Sequence, residues 1–123
     1  MIKYEREFIH ELQLGDRAYY ERSLGLALNP GEHVLGTFHS SSGAGVVFTG
    51  KRIILIDLYG LLVQKKEIDS IPYRNILYYS YIKDGGKRVL ELRCMGIEAI
   101  QLRFVNKACL SEAYRIVSAH VLD

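Results

Sequence analysis

The hydrophobic positions of this chain follow a helical period at first and an extended period after residue 30. In the first part, apolar side chains recur three or four residues apart on a charged background, as on one face of a helix. These positions are Phe8, Ile9 and Leu12, and then Tyr20, Leu24 and Leu28. We therefore predict two short helices, over residues 2–14 and 16–28, with the second ended by Asn29-Pro30-Gly31.

Seven short runs rich in β-branched and aromatic residues follow, which is the composition typical of strands. They are Val34 to Ser40, Val46 to Thr49, Arg52 to Leu58, Leu61 to Ile68, Ile76 to Lys83, Val89 to Cys94 and Ala99 to Phe104. Turn-forming residues such as Gly50-Lys51 and Asp84-Gly85-Gly86 lie between nearly all of them. This spacing predicts an antiparallel meander, because no helix intervenes to allow parallel pairs.

The third of these strands differs from the last two in the polarity of its faces. In the last two, apolar and polar residues alternate, so each strand has one solvated face. The third contains Ile53-Ile54-Leu55-Ile56 and is apolar on both faces. One face should line the interior, and the other must be covered by a helix or by another subunit. Ile54 and Ile56 are therefore candidate interface residues.

The C-terminal segment has the pattern of an amphipathic helix. Asn106 is suited to cap its N-terminus, because a side-chain amide oxygen can accept from a free backbone N–H of the first turn. Its apolar stripe consists of Leu110, Ala113, Ile116, Val117 and Val121. Seven strands followed by one such helix predict a strongly bent sheet or barrel with one end closed by the helix.

Three short motifs at the strand boundaries are similar to the pattern of bacterial pleckstrin-homology-like (PH-like) domains. They are Pro30-Gly31-Glu32, Phe48-Thr49-Gly50-Lys51-Arg52-Ile53-Ile54, and Ser70-Ile71-Pro72-Tyr73 with Ile76. The resemblance covers residues 29–122. It implies a mainly β fold, a seven-stranded antiparallel barrel capped by a C-terminal α-helix. It also implies no catalysis, and ring-like homo-oligomers in some members.

On this interpretation the chain divides into an N-terminal helical extension, residues 1–28, and a PH-like barrel domain, residues 29–123. A length of 123 residues and a mass of 14.0 kDa suit one domain with one core. The formal net charge of +2 is too small to predict nucleic-acid binding. No apolar run approaches the roughly 20 residues of a membrane-spanning helix.

The two cysteines match neither a metal knuckle nor a redox motif, and no secretory signal precedes them, so a cytoplasmic, reducing location is expected. The four histidines are scattered, without carboxylates or cysteines at ligand spacing, so no metal site is expected. No nucleophile elbow or phosphate loop is present. We expect neither catalysis nor a cofactor.

Two surfaces remain as candidates for binding. Lys51, Arg52, Lys65 and Lys66 would form a weak basic patch for an anionic lipid or a small ligand if the third and fourth strands pair. The alternative is that Thr49-Gly50-Lys51-Arg52 is only a hairpin turn. The first hairpin contains no Lys or Arg, so the phosphoinositide binding of eukaryotic relatives is not carried over to this chain.

The fifth strand is rich in tyrosine, and Tyr79 and Tyr81 share one of its faces. Such a face suits a protein interface, although a barrel wall beneath the N-terminal helices is equally compatible with it. The leading hypothesis is a non-catalytic scaffold that binds itself as a homo-oligomer, with other proteins as further candidate partners. The second is a module that contacts a membrane surface or a small ligand.

Overall fold

The computed structural model of the protein describes residues 9–15, 22, 28–40, 44–59, 62, 65–96 and 99–122. Its strands are β1 (Ile9–Leu14), β2 (Val34–His39), β3 (Gly45–Thr49), β4 (Arg52–Tyr59), β5 (Lys65–Pro72), β6 (Ile76–Asp84), β7 (Lys87–Cys94) and β8 (Ile100–Phe104). A single 3₁₀ turn, Tyr73–Asn75, joins β5 to β6. The helix α1, Lys107–Val121, follows β8.

The strands form one eight-stranded sheet in the order β5-β4-β3-β2-β1-β8-β7-β6. Every neighbouring pair is antiparallel except β1 and β8, which run parallel. Strand β1 therefore joins two antiparallel halves, β2–β5 and β6–β8. A bulge between Ile9 and Leu12 marks the point where its pairing with β8 changes register.

The interior of the fold contains side chains from both halves in one hydrophobic cluster, which requires the sheet to bend around on itself. The cluster includes Phe38, Phe48 and Leu55 from one half and Leu90, Leu102 and Phe104 from the other. Helix α1 contributes Leu110, Ala113 and Val117 to the same cluster, with 0% exposure each. The predicted architecture of a bent sheet closed by a C-terminal helix is confirmed.

Helix α1 begins and packs as its sequence predicts. Asn106 is its N-cap, and the side-chain oxygen accepts a hydrogen bond from the Cys109 backbone at 2.9 Å. The helix lies so close to β2 that a Cβ on Gly36 would be 3.0 Å from the Cδ1 of Ile116. Glycine at this position therefore allows the close approach of helix and sheet. Within the described residues, no helix is long and apolar enough to cross a membrane.

A second apolar cluster lies on the opposite face of β2, β3 and β4. It consists of Val34, Val47, Ile54 and Ile56, with Leu28 and Ile68 packed against it. Ile54 is 0% exposed and Ile56 5% exposed in a single chain. The doubly apolar strand β4 is thus covered within the chain, and neither isoleucine offers surface to another subunit in this conformation.

The predicted N-terminal helix is wrong for Ile9–Leu14, which is β1. The apolar spacing was compatible with a helix, but β1 has pairing partners on both sides, and those ladders satisfy its backbone groups. Leu12 enters the core while Gln13 and Leu14 remain exposed. Residues 2–8 and most of 16–28 lie outside the described residues, although Arg22 within that range is helical.

The predicted strand Leu61 to Ile68 is also displaced, since β5 occupies Lys65–Pro72. In the β4–β5 ladder Tyr59 pairs with Lys65, so the connection spans residues 60–64 and is longer than the Tyr59-Gly60 turn signal suggests. Leu62, within this connection, is 99% exposed. The register instead places Ile68 against the second apolar cluster and Ile71 in the core.

Candidate functional site

The Pro30-Gly31-Glu32 motif forms a tight turn that fixes one carboxylate. Gly31 has φ of 80°, the left-handed region required at the third position of a type II turn, and Pro30 occupies the second position. The backbone of Glu32 donates to the Asn29 carbonyl at 3.0 Å, which closes the turn. The backbone of Asn29 in return donates to Glu32 Oε1 at 3.0 Å.

The Glu32 carboxylate is joined to Arg52 by a two-pronged hydrogen-bonded ion pair. Arg52 Nε donates to Oε2 at 2.9 Å, and Nη2 donates to Oε1 at 3.0 Å. The Glu32 side chain is 0% exposed and that of Arg52 is 20% exposed. A third donor of Arg52, Nη1, reaches Ser70 Oγ on β5 at 2.8 Å. This pair ties the turn before β2 to β4 and β5.

Thr49 links this ion pair to the β3–β4 turn. Its hydroxyl donates to Glu32 Oε2 at 2.7 Å and accepts from the backbones of Lys51 and Arg52, each at 3.1 Å. Its carbonyl accepts a hydrogen bond from the Tyr73 hydroxyl at 2.7 Å. Residues from all three family-like motifs therefore meet in one network, and Thr49-Gly50-Lys51-Arg52 forms the turn of the β3–β4 hairpin.

The network perturbs two titrating groups in opposite ways. The hydrogen bonds from Arg52 are the largest cause of a lowered pKa at Glu32, from 4.5 to about 2, and they outweigh the burial that would raise it. The Asn29 backbone and the Thr49 hydroxyl lower it further. Burial, with a contribution from the Glu32 charge, raises the pKa of Tyr73 above its ordinary 10.0. Glu32 stays ionised and Tyr73 stays protonated.

We expect Glu32 to make stability depend on acid pH. A carboxylate whose pKa is lower in the folded state contributes its full stabilisation above the unfolded pKa of 4.5 and loses it as the pH falls toward about 2. At about 1.4 kcal/mol per pH unit, the contribution is about 3 kcal/mol. Urea unfolding between about pH 5 and pH 2 should give a steeper pH dependence for the wild type than for Glu32→Gln. Parallel curves would contradict this assignment.

Beside the network, the β3–β4 turn, the 3₁₀ turn and the end of α1 surround a shallow hollow of about 240 Å³. It is lined by Gly50, Lys51, Pro72, Tyr73, Arg74 and His120. The His120 ring stacks on Tyr73, with ring centroids 4.9 Å apart and planes at 24°. We call this feature the basic hollow, because three of its six residues are Lys, Arg and His.

The structure does not bring the four predicted cationic residues together. Lys51 and Arg52 lie at the β3–β4 end of β4, where Arg52 pairs with Pro72. Lys65 and Lys66 lie at the other end, where Lys66 pairs with Leu58. The separation along the ladder is about 20 Å, because Arg52 and Leu58 are six residues apart on β4 at about 3.3 Å per residue. The two strands do pair, but antiparallel pairing separates these residues, and Arg52 is engaged by Glu32.

Tyr79 and Tyr81 face helix α1. Tyr79 donates to Ser118 Oγ at 3.0 Å, and its ring lies 5.5 Å from that of Tyr114. The Tyr81 ring makes an edge-on contact with the same Tyr114 at 5.3 Å, although Tyr81 keeps 38% exposure. The sequence leaves open a barrel wall beneath the N-terminal helices. In the structure these rings do lie beneath a helix, but it is the C-terminal helix α1.

Near the start of β6 lie two apolar side chains that are more exposed than Tyr79 and Tyr81. Leu77 is 62% and Tyr78 52% exposed, and the Arg93 guanidinium lies 6.0 Å from the Tyr78 ring. Met95, 65% exposed, follows β7 next to them, and its backbone donates to the Asn75 carbonyl. A bulge between Ile76 and Tyr78 shifts the register here. Strand β6 is an edge of the sheet, with β7 as its ladder partner.

Sequence reasoning missed Arg74 and His120, which complete the basic hollow with Lys51. Arg74 lies in the 3₁₀ turn after Pro72, and His120 lies one turn after Ile116 on the helix. Neither position carries a motif. Arg74 and His120 come near Lys51 only because the 3₁₀ turn and the end of α1 pack around Tyr73. Within the part of the chain that the structure describes, no group of three His, Cys, Asp or Glu residues is placed to hold a metal ion.

A bent antiparallel sheet closed by a C-terminal helix is the architecture of pleckstrin-homology domains. This chain belongs to the bacterial PH domain family, whose model matches residues 6–121. A DUF1696 family protein with a pleckstrin-homology domain from Shewanella loihica PV-4 has a similar solved structure. Its TM-score is 0.80 at 20% identity, over 91% of this chain and 98% of that one.

A pleckstrin homology domain from Shewanella amazonensis SB2B is similar with a TM-score of 0.71 and 23% identity, over 89% of this chain and 90% of that one. Among curated sequences, a stretch of 35 residues is 49% identical to the uncharacterized protein YjqA of Bacillus subtilis (strain 168). That stretch spans 28% of this chain and 28% of YjqA. The predicted family and fold class are confirmed.

Proposed function

We propose that this PH-like domain is a non-catalytic binding module whose copies associate through the edge strand β6. The observation that carries the proposal is the exposed edge of β6, a strand of nine residues with Leu77 and Tyr78 at the surface. In the described part of the chain β6 pairs only with β7, and an unpaired strand edge is a template for pairing with another chain. The two groups whose pKa values are strongly shifted, Glu32 and Tyr73, form hydrogen bonds that hold turns in place. This structural use supports a binding role over catalysis.

The two edges of the sheet differ in how they are protected against pairing. Charged residues and proline on an edge strand oppose association with other strands. Strand β5 contains Lys65, Lys66, Glu67 and Asp69 and ends with Pro72. In β6 the charged residues are the last two, Lys83 and Asp84. The β6 edge is thus the less protected one, which favours contact between two β6 strands over contact between β6 and β5.

A second copy of the chain is the partner that suits this edge. Two identical edge strands related by a two-fold axis can pair antiparallel, since each then presents the same donors and acceptors to the other. A pair centred on Ser80 would place Tyr78 opposite Ile82 of the partner subunit. Aromatic and β-branched residues in such positions stabilise a sheet by about 0.2–1 kcal/mol per pair.

Light scattering after size exclusion tests this proposal. The wild type at micromolar concentration should give about twice the chain mass of 14.0 kDa. Tyr78→Lys should shift the protein to monomer and raise the dimer dissociation constant by about tenfold or more, because it places a charge on the pairing edge. A wild type that stays monomeric throughout this range would overturn the proposal.

The matched control is Leu35→Lys. Leu35 is 42% exposed and lies on β2, an inner strand that pairs with β3 and, at Phe38 and His39, with β1. Lysine there also exchanges an exposed apolar side chain for a charged one, but away from the β6 edge. Its association should match that of the wild type. Equal loss of association in both variants would point to general charge and not to β6.

A further inference from the structure

The basic hollow brings together basic side chains from three separate elements. Lys51 comes from the β3–β4 turn, Arg74 from the 3₁₀ turn and His120 from the last turn of α1. We propose that this hollow binds a phosphate group, either of a free phosphate compound or of a lipid headgroup. The site is independent of the β6 edge, so it can be tested whether or not the chains associate.

The charges around the hollow favour an anion. None of the described residues that line it is acidic, and the nearby Glu32 carboxylate is paired with Arg52 through two hydrogen bonds. Among the described residues, no carboxylate forms an ion pair with the side chain of Lys51 or with that of Arg74. Two cationic groups next to a cavity, without a carboxylate partner in the described part of the chain, favour an anionic ligand there.

His120 is held in a defined orientation. Its Nδ1 lies 2.7 Å from the Ile116 carbonyl oxygen, and because a carbonyl only accepts, Nδ1 carries the proton. The stacked Tyr73 ring fixes the plane of the imidazole, and Tyr73 is itself fixed by its hydrogen bond to Thr49. Nε2 is then the ring nitrogen left to face a ligand, as an acceptor in the neutral ring and as a donor in the protonated ring.

Lys51 and Arg74 should contribute more to affinity than His120. The C-terminal end of α1 carries a partial negative charge, and His120 lies in its last turn, so part of the effect of that imidazole is offset locally. Lys51 and Arg74 lie on turns and carry full charges. An arginine guanidinium also matches two phosphate oxygens at once, whereas lysine acts as a point charge.

The size of the hollow indicates a small ligand group. Its volume of about 240 Å³ is below the roughly 300–1,000 Å³ of sites for drug-sized molecules. The lysine ammonium and the arginine guanidinium, which approach from two different turns, suit the several oxygens and the double negative charge of a phosphate monoester better than a single carboxylate. An open, shallow shape also leaves room for the rest of an ester outside the hollow.

Titration of the ¹⁵N-labelled full chain with inorganic phosphate, at constant ionic strength, tests the proposal. Amide shifts should concentrate at Lys51, Arg74 and His120 and should saturate. Arg74→Ala and Lys51→Ala should each raise the phosphate dissociation constant by about tenfold, the effect of losing one charge-assisted hydrogen bond. Both side chains are on the surface, and the same spectra report whether each variant is folded.

The matched control is Lys66→Ala, which removes an exposed lysine at the far end of β4 and should change the constant less than twofold. Phosphate shifts that do not saturate, or that Lys66→Ala reduces as much as Arg74→Ala does, would overturn the proposal. Either result would show that only general surface charge attracts the anion.

The source of the phosphate is distinguished by co-sedimentation with vesicles. Phosphatidylcholine vesicles containing phosphatidic acid present a phosphate monoester, and pure phosphatidylcholine vesicles present none. Binding to the first kind alone, lost in Arg74→Ala, identifies a lipid headgroup as a ligand. Saturable binding of inorganic phosphate without vesicle binding identifies a free phosphate compound. Absence of both kinds of binding refutes the site.

Discussion

Replacing Arg52 with glutamine is expected to lower the free energy of unfolding by about 3–5 kcal/mol at neutral pH. The variant leaves the Glu32 carboxylate buried, at 0% side-chain exposure, without its only guanidinium partner among the described residues. Burial, which the hydrogen bonds from Arg52 outweigh in the wild type, would then raise the pKa of Glu32. Urea unfolding followed by circular dichroism measures the loss.

The pH dependence of this loss separates a buried charge from a simple packing defect. As Glu32 becomes protonated in the variant, the unpaired charge disappears, so the destabilisation should shrink at acid pH. Glu32→Gln combined with Arg52→Gln should likewise cost less than the sum of the single changes, because the double variant contains no unpaired charge. Additive losses that do not change with pH would contradict this explanation.

Arg93→Gln is the matched control for Arg52→Gln. Arg93 also pairs with a glutamate, since its Nε lies 3.4 Å from Glu91 Oε2, but its side chain is 48% exposed. Exposed ion pairs contribute about 0–1 kcal/mol, because water screens the charges and solvates them when they separate. Arg93→Gln should therefore stay within about 1 kcal/mol of the wild type. A loss comparable to that of Arg52→Gln would mean that burial is not the deciding factor.

The parts of the fold that sequence predicts well are those in which one face is wet. In β7 and β8 the alternation of Leu90, Leu92 and Cys94 with Glu91 and Arg93 gives both the strand and its inward face, and the same residues are buried and exposed in the structure. Helix α1 is equally clear, because its stripe and its Asn106 cap are both local signals. Local chemistry and tertiary burial agree in these elements.

Strand β1 could not be predicted because its stability comes from distant partners. Its backbone is paired on one side with β2 and on the other with β8, some ninety residues further along the chain. Its sequence, Ile9 to Leu14, carries no clear apolar-polar alternation that distinguishes strand from helix. The apolar spacing of a short segment favours a helix only when no sheet offers both of its edges a partner.

The candidate site shows the same limit. Lys51 and Arg52 are adjacent in sequence, yet Arg52 is engaged by a buried glutamate twenty residues earlier while Lys51 faces the hollow. Sequence does not reveal which of two neighbouring cations has an internal partner. Two other residues, Arg74 and His120, surround the hollow together with Lys51. Arg74 lies in the 3₁₀ turn, whose position depends on the β4–β5 register, and His120 lies in the last turn of α1. Contacts of this kind follow from topology and carry no motif of their own.

Phe38→Ala is expected to destabilise the protein by about 3–5 kcal/mol, as large-to-small changes of buried aromatic residues do. Phe38 is 0% exposed and makes edge-on contacts with Phe48 of β3 at 5.9 Å and with Phe104 of β8 at 5.3 Å. Each such aromatic pair adds about 0.5–1.5 kcal/mol beyond the burial of apolar area. The three rings connect the β2–β5 half of the sheet to the β6–β8 half.

Two further variants show whether this loss reflects the aromatic cluster itself. Phe38→Leu keeps most of the buried volume but removes both ring contacts, so it should cost about 1–2 kcal/mol. Leu35→Ala, which shortens a side chain of β2 that is 42% exposed, should change stability by less than about 0.5 kcal/mol. Urea unfolding measures all three. Because the rings bridge the two halves of the sheet, the urea unfolding of Phe38→Ala should also be less cooperative than that of the wild type. If Phe38→Ala instead lowers the free energy of unfolding by less than about 1 kcal/mol and keeps the wild-type dependence on urea concentration, the halves are held together elsewhere.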